Sequence, residues 1–415
     1  MHQIIKGTIA LVFGSGAGAV LSFVLVLMIG RGWGQTGLGV YTAALAWMTP
    51  LSLLTEAGLG TLFVRDLARH PEQIAAYTHA AIRQRILVGG CLALAIILAA
   101  QIITNDALTQ MGIRLSAPLI VILPLYATFT AILRVQGRMA LVAALNIGML
   151  AIQVSLTAML WQKQAALETI LLVNTLTSAG QCAAAAWLTR GAWQKDKTGQ
   201  NTGLMYQIPT ETPIQNIDLR TLMRRGLPFA IAGVIAALQM RLIVIVLEQD
   251  TTAAVVGVYA AAFKGVEIAR LLALAVFDAL FPVLSSLAHD RVRVQRLFAV
   301  MCVILTAGAL IGSLILSLLA PTLIPLLYGA AFVSAVPVLQ IVAWGMPLLV
   351  LRQSRILYGY ALGAEYRVNM LMLIGLIGQA VAALVLIPQA GAIGAAWAFV
   401  AGEAWGAAVL WLVRF

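Results

Sequence analysis

Eight ionisable side chains lie deep inside apolar stretches in the second half of this 415-residue chain, and their types and spacing could do chemistry. They are Arg241, Lys264, Glu267, Arg270, Asp278, Arg352, Arg355 and Glu403, five positive and three negative. A charge in a bilayer core costs several kcal/mol by insertion scales, so such residues face protein or water and tend to serve a function. At about 100° per residue, Glu267, Arg270 and Asp278 lie roughly 60°, 120° and 40° from Lys264 on the same side, placing all four on one helix face. The i,i+3 spacing of Lys264 with Glu267, and of Glu267 with Arg270, permits ion pairing. Two readings of this stripe stand: it neutralises itself within a helix bundle, or it lines a cavity wall and meets an anionic substrate.

Arg352 and Arg355 are three apart on one face, just beyond Gly345 and Pro347, which can kink a membrane helix, and no acidic residue in that stretch neutralises them. Snorkelling to headgroups explains Arg355 as well as substrate binding does, whereas Arg352 lies nearer the centre. Arg241 is likewise unpaired within its own helix. The excess of positive charge makes the inferred cavity cationic, and the guanidinium fork suits phosphate because it donates two parallel hydrogen bonds.

The elements that must position these residues are read from composition. Of the chain, 62% is apolar and only 10% charged, against about a quarter charged in soluble domains. The apolar runs are too long for barrel strands, and a helix needs roughly 20 residues to cross a hydrocarbon core. Twelve spans are expected, at 8–30, 38–60, 86–104, 115–134, 139–161, 167–188, 226–248, 254–282, 297–319, 334–359, 368–387 and 391–413. The loops between them carry eighteen Lys and Arg on one side and three (Arg31, Arg114, Lys163) on the other, which places both termini in the cytoplasm. That asymmetry explains most of the net charge of +11 without a nucleic-acid partner.

Residues 189–225 have linker chemistry and divide an N-terminal six-helix lobe, 1–188, from a C-terminal one, 226–415. The end of this linker, 216–225, reads either as an amphipathic helix on the inner leaflet or as a solvated loop. G-V-Y-T-A-A-L from Gly39 recurs as G-V-Y-A-A-A-F from Gly257, matching at five of seven positions with an offset of 218. Both copies enter from the outside, so the repeats are parallel, related by a pseudo-two-fold along the membrane normal. The fold class expected is all-α integral membrane, with about 12 transmembrane helices in two lobes suited to alternating access.

No phosphate-binding G-x-x-x-x-G-K-[ST], H-E-x-x-H or G-x-S-x-G sequence is present, and the cysteines Cys91, Cys182 and Cys302 lack metal or redox spacing. No catalytic, cofactor or metal residues are therefore assigned. A membrane polymerase or ligase would need a sizeable outer loop, and the outer loops are short. A drug or cation exporter would favour an acidic, aromatic cavity.

G-L-G-V-Y-T-A-A from Gly37, G-L-G-T-L-F-V-R-D-L-A from Gly58 and V-G-V-Y-A-A-A-F-K from Val256 carry a resemblance across most of the chain. It continues in F-P-V-L-S-S-L from Phe281, Y-G-A-A-F from Tyr328 and L-I-P-Q-A-G-A-I-G-A-A from Leu386. In order and spacing the chain resembles the polysaccharide, or lipid-linked oligosaccharide, flippases of the multidrug/oligosaccharidyl-lipid/polysaccharide exporter superfamily. The resemblance implies a bacterial inner-membrane protein that moves undecaprenyl-pyrophosphate-linked saccharide outward, in concert with glycosyltransferases and a polysaccharide polymerase. Arg241, Lys264, Arg270, Arg352 and Arg355 would then form the pyrophosphate-binding set. The family frequently has an acidic residue two positions after Arg241, where Ile243 stands here, which leaves Glu267, Asp278 and Glu403 as candidates for ion coupling.

Overall fold

A computed structural model describes residues 2–56, 74–193, 219–286 and 291–413, with side chains described over most of these. Among the described residues there are helices and one short 3-10 turn, and no strand. A backbone in hydrocarbon must satisfy its own hydrogen bonds, and the helix does so within one segment. In chain order the helices are α1 (His2–Glu56), α2 (Ile74–Ile103), α3 (Ala107–Ser116), α4 (Leu119–Val135), α5 (Met139–Gln162) and α6 (Leu167–Trp193). They continue with α7 (Leu219–Asp250), α8 (Ala253–Ser286), α9 (Arg291–Tyr328), α10 (Ala335–Ala343), α11 (Gly345–Ala361) and α12 (Glu365–Leu412).

Seven helical stretches among the described residues are long and apolar enough to cross a membrane. Two of them, α1 and α12, turn back on themselves at Gly34 (φ 66°) and Gly391 (φ 54°), so each supplies two spans. Only glycine adopts that left-handed backbone without strain. In α12 the reversal shows in the packing: Gly375 lies against Gly406 and Gln379 against Gly402, four residues up one limb matching four down the other. α6, α7 and α8, of 27, 32 and 34 residues, are also of crossing length, which brings the described limbs of that length to the twelve expected, and the fold is that of an all-α integral membrane protein.

Three boundaries differ from the hydropathy reading. The third span begins at Ile74, not at 86, so Arg83 and Arg85 are helical residues. Neither reading of 216–225, surface helix or solvated loop, matches from Leu219 onward, where the chain forms the first turns of α7 itself; 216–218 lies outside the described residues. The tenth span breaks into α10 and α11 at Gly345, where a Cβ would come within 2.4 Å of the Phe399 ring.

The chain divides into two compact units, one of Met1–Met28 with Trp47–Ala237, the other of Ile29–Ala46 with Leu238–Phe415. The changes of unit fall within the first, second and seventh spans. In the first unit Ile74, Tyr77 and Ala81 of α2 pack with Phe129 and Ile132 of α4 and with Cys182 and Ala185 of α6. In the second, Phe298 and Cys302 of α9 pack with Val350 and Tyr358 of α11.

Within the second unit the two copies of the G-V-Y repeat touch each other. A Cβ on Gly39 would stand 1.7 Å from the Ala253 carbonyl oxygen, and one on Gly257 would stand 1.9 Å from that of Gln35. Ala253 is the repeat equivalent of Gln35, so the contact is reciprocal, as a local two-fold axis requires. Small residues let helix backbones meet in lipid, where apolar burial cannot drive association. Gly39→Val and Gly257→Val are each expected to destabilise the protein by about 1–3 kcal/mol through overpacking. Gly148→Ala, with no atom within 4 Å of the added methyl, should unfold at or slightly above the wild-type temperature in detergent.

Candidate functional site

The α8 stripe is partly self-neutralising. Lys264 Nζ donates to Glu267 Oε2 at 2.7 Å, as the i,i+3 spacing allows, and this pair is only partly shielded. Arg270, a turn further on, directs Nη1 at the Met240 thioether of α7 at 2.7 Å. A thioether is a weak acceptor and carries no charge, so the negative charges facing this guanidinium are those of Glu267 and, less strongly, Glu403, each already paired with another cation. Arg241, half-buried on α7, makes no hydrogen bond or ion pair among the described residues. Both arginines bear electrostatically on the Glu267 carboxylate, though less than Lys264 does.

Arg352 stands differently from expectation. It is 4% exposed on α11, and its carboxylate comes from the last span: Nε donates to Glu403 Oε2 at 2.6 Å and Nη2 to Oε1 at 3.1 Å. Its third nitrogen, Nη1, donates to Gln239 Oε1 of α7 at 3.0 Å. Gln239 Nε2 in turn donates to the Met372 carbonyl at 2.9 Å, and Gln379 Nε2 donates to the Gln239 carbonyl at 3.0 Å. Gly406 makes room for this node, since a Cβ there would lie 2.7 Å from Arg352 Cδ. The expectation of an unneutralised Arg352 is thus corrected: its partner lies 51 residues away. Glu403, a candidate for ion coupling, is committed to the same pair.

Arg355 is also spoken for. Nε donates to the Leu410 carbonyl at 3.2 Å and Nη2 to that of Val413 at 2.7 Å, capping the C-terminal end of α12. Its guanidinium carbon sits 5.3 Å from the Tyr358 and Trp411 ring centroids and 6.0 Å from that of Phe298. In this structure its donors fasten the final helix and do not reach out to headgroups. Asp278 belongs to α8, with its side chain outside the described residues.

Two classes of residue escaped the search for charges. Gln239 and Gln379 are neutral amides in apolar spans, and their only sequence signal is polarity where none is expected. Arg85, placed with the loop arginines by hydropathy, is fully buried on α2, and Nε, Nη1 and Nη2 have no hydrogen-bond partner.

Among the described side chains of this group, Arg241, Lys264, Arg270 and Arg352 outnumber Glu267 and Glu403 by two, and with Lys264 and Arg352 ion-paired the surplus falls on Arg241 and Arg270; Asp278 is not in this count. Such a cluster can hold an anion by charge and by forked hydrogen bonds, and it contains no nucleophile with an adjacent base.

Residues 4–288 match the family described as polysaccharide biosynthesis protein. The chain belongs to that family. Its fold is similar to an inward-facing multidrug resistance MATE family transporter of the MOP superfamily, with a TM-score of 0.77 at 14% identity, over 95% of this chain and 93% of that one. It is also similar to the lipid II flippase MurJ in an inward closed conformation, with a TM-score of 0.75 at 14% identity, over 98% of this chain and 87% of the other. A MOP superfamily transporter from Pyrococcus furiosus Vc1, described by a binding pocket of reverse polarity, matches with a TM-score of 0.62 at 13% identity, over 99% and 94% of the two chains. Among curated proteins, none matches significantly. The flippase and transporter fold expected from the sequence is therefore the one this polysaccharide biosynthesis family member has.

Breaking a buried ion pair from one side strands a charge and costs about 3–5 kcal/mol, whereas replacing both partners by apolar groups costs far less. Arg352→Met and Glu403→Met should each lower the thermal unfolding temperature of the purified protein strongly. The double variant should recover much of that loss in a double-mutant cycle.

Proposed function

We propose that this protein flips an undecaprenyl-pyrophosphate-linked oligosaccharide from the cytoplasmic to the outer leaflet of a bacterial inner membrane during surface-polysaccharide assembly. The observation that carries this reading is the surplus of two positive charges on Arg241 and Arg270, held by α7 and α8 among compensated neighbours. A diphosphate diester carries about two negative charges at neutral pH, so it neutralises that surplus and supplies oxygens for both guanidinium forks. Family membership in polysaccharide biosynthesis supports a glycan cargo. The polyprenyl tail stays in lipid, and a polar path spares the headgroup most of its dehydration.

Transport proceeds by alternating access of an N-terminal lobe, 1–188, and a C-terminal lobe, 226–415, joined by the cytoplasmic linker 189–225. Both termini are cytoplasmic on the charge asymmetry of the loops. Glycosyltransferases supply the cargo and a polysaccharide polymerase consumes it outside. Lys264, paired with Glu267, completes the cationic wall, and Glu267 is the acidic group best placed to answer a coupling ion. A drug or cation exporter of the same superfamily is the competing reading, and the cationic surplus disfavours it. A membrane polymerase or ligase would need a nucleophile and base that the cluster lacks.

Flipping of a fluorescent undecaprenyl-pyrophosphate saccharide by the reconstituted protein tests this directly. Arg241→Ala and Arg270→Ala should each slow it about tenfold or more, since losing one charged contact forfeits at least 1.4 kcal/mol. Both Lys variants should retain part of the rate. Wild-type rates in both Ala variants would remove the diphosphate grip.

A further inference from the structure

Among the described residues of the first unit, one charged side chain is fully buried, and the proposed site does not use it. Arg85 is among the largest fully buried side chains, and among the described residues all three of its guanidinium nitrogens lack a hydrogen-bond partner. Arginine stays protonated in proteins, so it cannot escape burial by losing its proton as lysine does. A buried cation without a paired counter-charge is costly, and costly local arrangements cluster at sites that switch between states. Among the described residues, the carboxylate that bears on Arg85 is Glu56, in the last described turn of α1, and the next group is the Cys182 thiol of α6. Glu56 is half-buried and forms no ion pair with Arg85 here.

The residues beside this couple are unsettled in the same way. Gln84 Nε2 donates to the Thr55 carbonyl at 2.9 Å, docking the end of α1 on α2, while its own Oε1 is buried without a donor. Four unmet polar atoms therefore gather on Gln84 and Arg85, against Thr55 and Glu56. Gly89, one turn further along α2, meets the Thr55 methyl, where a Cβ would be 2.9 Å away, so the helices are already in close contact. The second limb of α1 has its residues up to Ala46 in the second unit and those from Trp47 in the first. The second limb of α1 is thus divided between the two units, and its last described turn, Thr55–Glu56, lies on Arg85's helix.

We propose that Glu56 and Arg85 are two halves of an ion pair that closes in one state of the flipping cycle and stands open in the state described here, a reading that rests on the flippase function proposed above. Closing the pair gives Arg85 its missing counter-charge and biases the cycle toward that state; opening it strands the cation and biases the cycle back. Such a couple is a positioning device, acting on the angle of α1 against α2 and not on the cargo.

Arg85→Met, Glu56→Gln and the double variant distinguish this from ordinary packing. Removing a stranded cation should raise the thermal unfolding temperature of Arg85→Met above wild type while its flipping of the labelled undecaprenyl-pyrophosphate saccharide falls about fivefold or more. Glu56→Gln should lose flipping to a similar degree, and the double variant should be no slower than the slower single. A lowered unfolding temperature for Arg85→Met, or losses that multiply in the double variant, would overturn the pair. In a background with Cys91, Cys182 and Cys302 changed to Ala, Glu56→Cys with Arg85→Cys should form a disulfide under mild oxidation in membranes, and its absence counts against the proposal. Should wild-type vesicles fail to flip the labelled lipid, the cargo reading fails, whereas the unfolding shift and the disulfide still decide the fate of the pair.

Discussion

A charge inside a bilayer-spanning bundle must be answered within the protein, and the arrangement of the second unit follows from that constraint. Arg352 is answered by the two oxygens of Glu403 and the amide oxygen of Gln239, with no nitrogen left over. That single residue ties the seventh, tenth and twelfth spans together, and Gln379 brings in the eleventh through the Gln239 carbonyl. The glycines around the node are its complement. A side chain at Gly406 would collide with Arg352, and one at Gly402 would meet Gln379. Because this node consumes Arg352, the surplus charge of the region falls on Arg241 and Arg270.

The repeated G-V-Y motif has a comparable physical basis. In water a stretch this apolar would be held by burial, but lipid tails are as apolar as leucine, so helices meet where small residues let backbones approach and polar groups join. Gly39 and Gly257 are the small residues at such a meeting, each against the carbonyl that the other's repeat supplies. Arg31 strengthens the same region by donating to the Leu326 and Leu327 carbonyls at the end of α9, where a helix leaves its last carbonyls unpaired. The repeat is thus a contact as well as a trace of duplication.

Much of the fold was legible because hydropathy and helix length act locally: each span is long, apolar and bounded by polar residues. Gly34 and Gly391 could be read as turn positions between spans, although only the backbone reveals that each joins two spans without an intervening loop. The pairing of Lys264 with Glu267 was legible for the same reason, being three residues apart on one helix. Arg352 with Glu403 was not, since nothing local to the tenth span announces a carboxylate in the twelfth. Arg355 shows the same limit: its acceptors are the last carbonyls of another helix. Arg85 escaped because a window of hydropathy ends where arginines begin, and burial of a basic residue at a span's end depends on the helices beside it.

The two units answer the cost of polarity in different ways. In the first, Gln153 donates to Asn174 and Thr177, while Tyr126 and Gln181 both donate to Asn146, so the α4, α5 and α6 helices are stitched by neutral groups. Neutral amides lose far less on leaving water than ions do, and need only one or two partners to be satisfied. In the second unit, charges do this work, and the choice of arginine matters. A lysine at position 352 would offer one compact ammonium to Glu403 and could not also span to Gln239 along a planar fork. The guanidinium allows one cation to be neutralised and still reach a third helix, and it leaves Arg241 and Arg270 outside that node, Arg270 with only a thioether acceptor. Against that background, a buried arginine among the neutral buried polar side chains described in the first unit is the exception, and Glu56 is the carboxylate that bears on it.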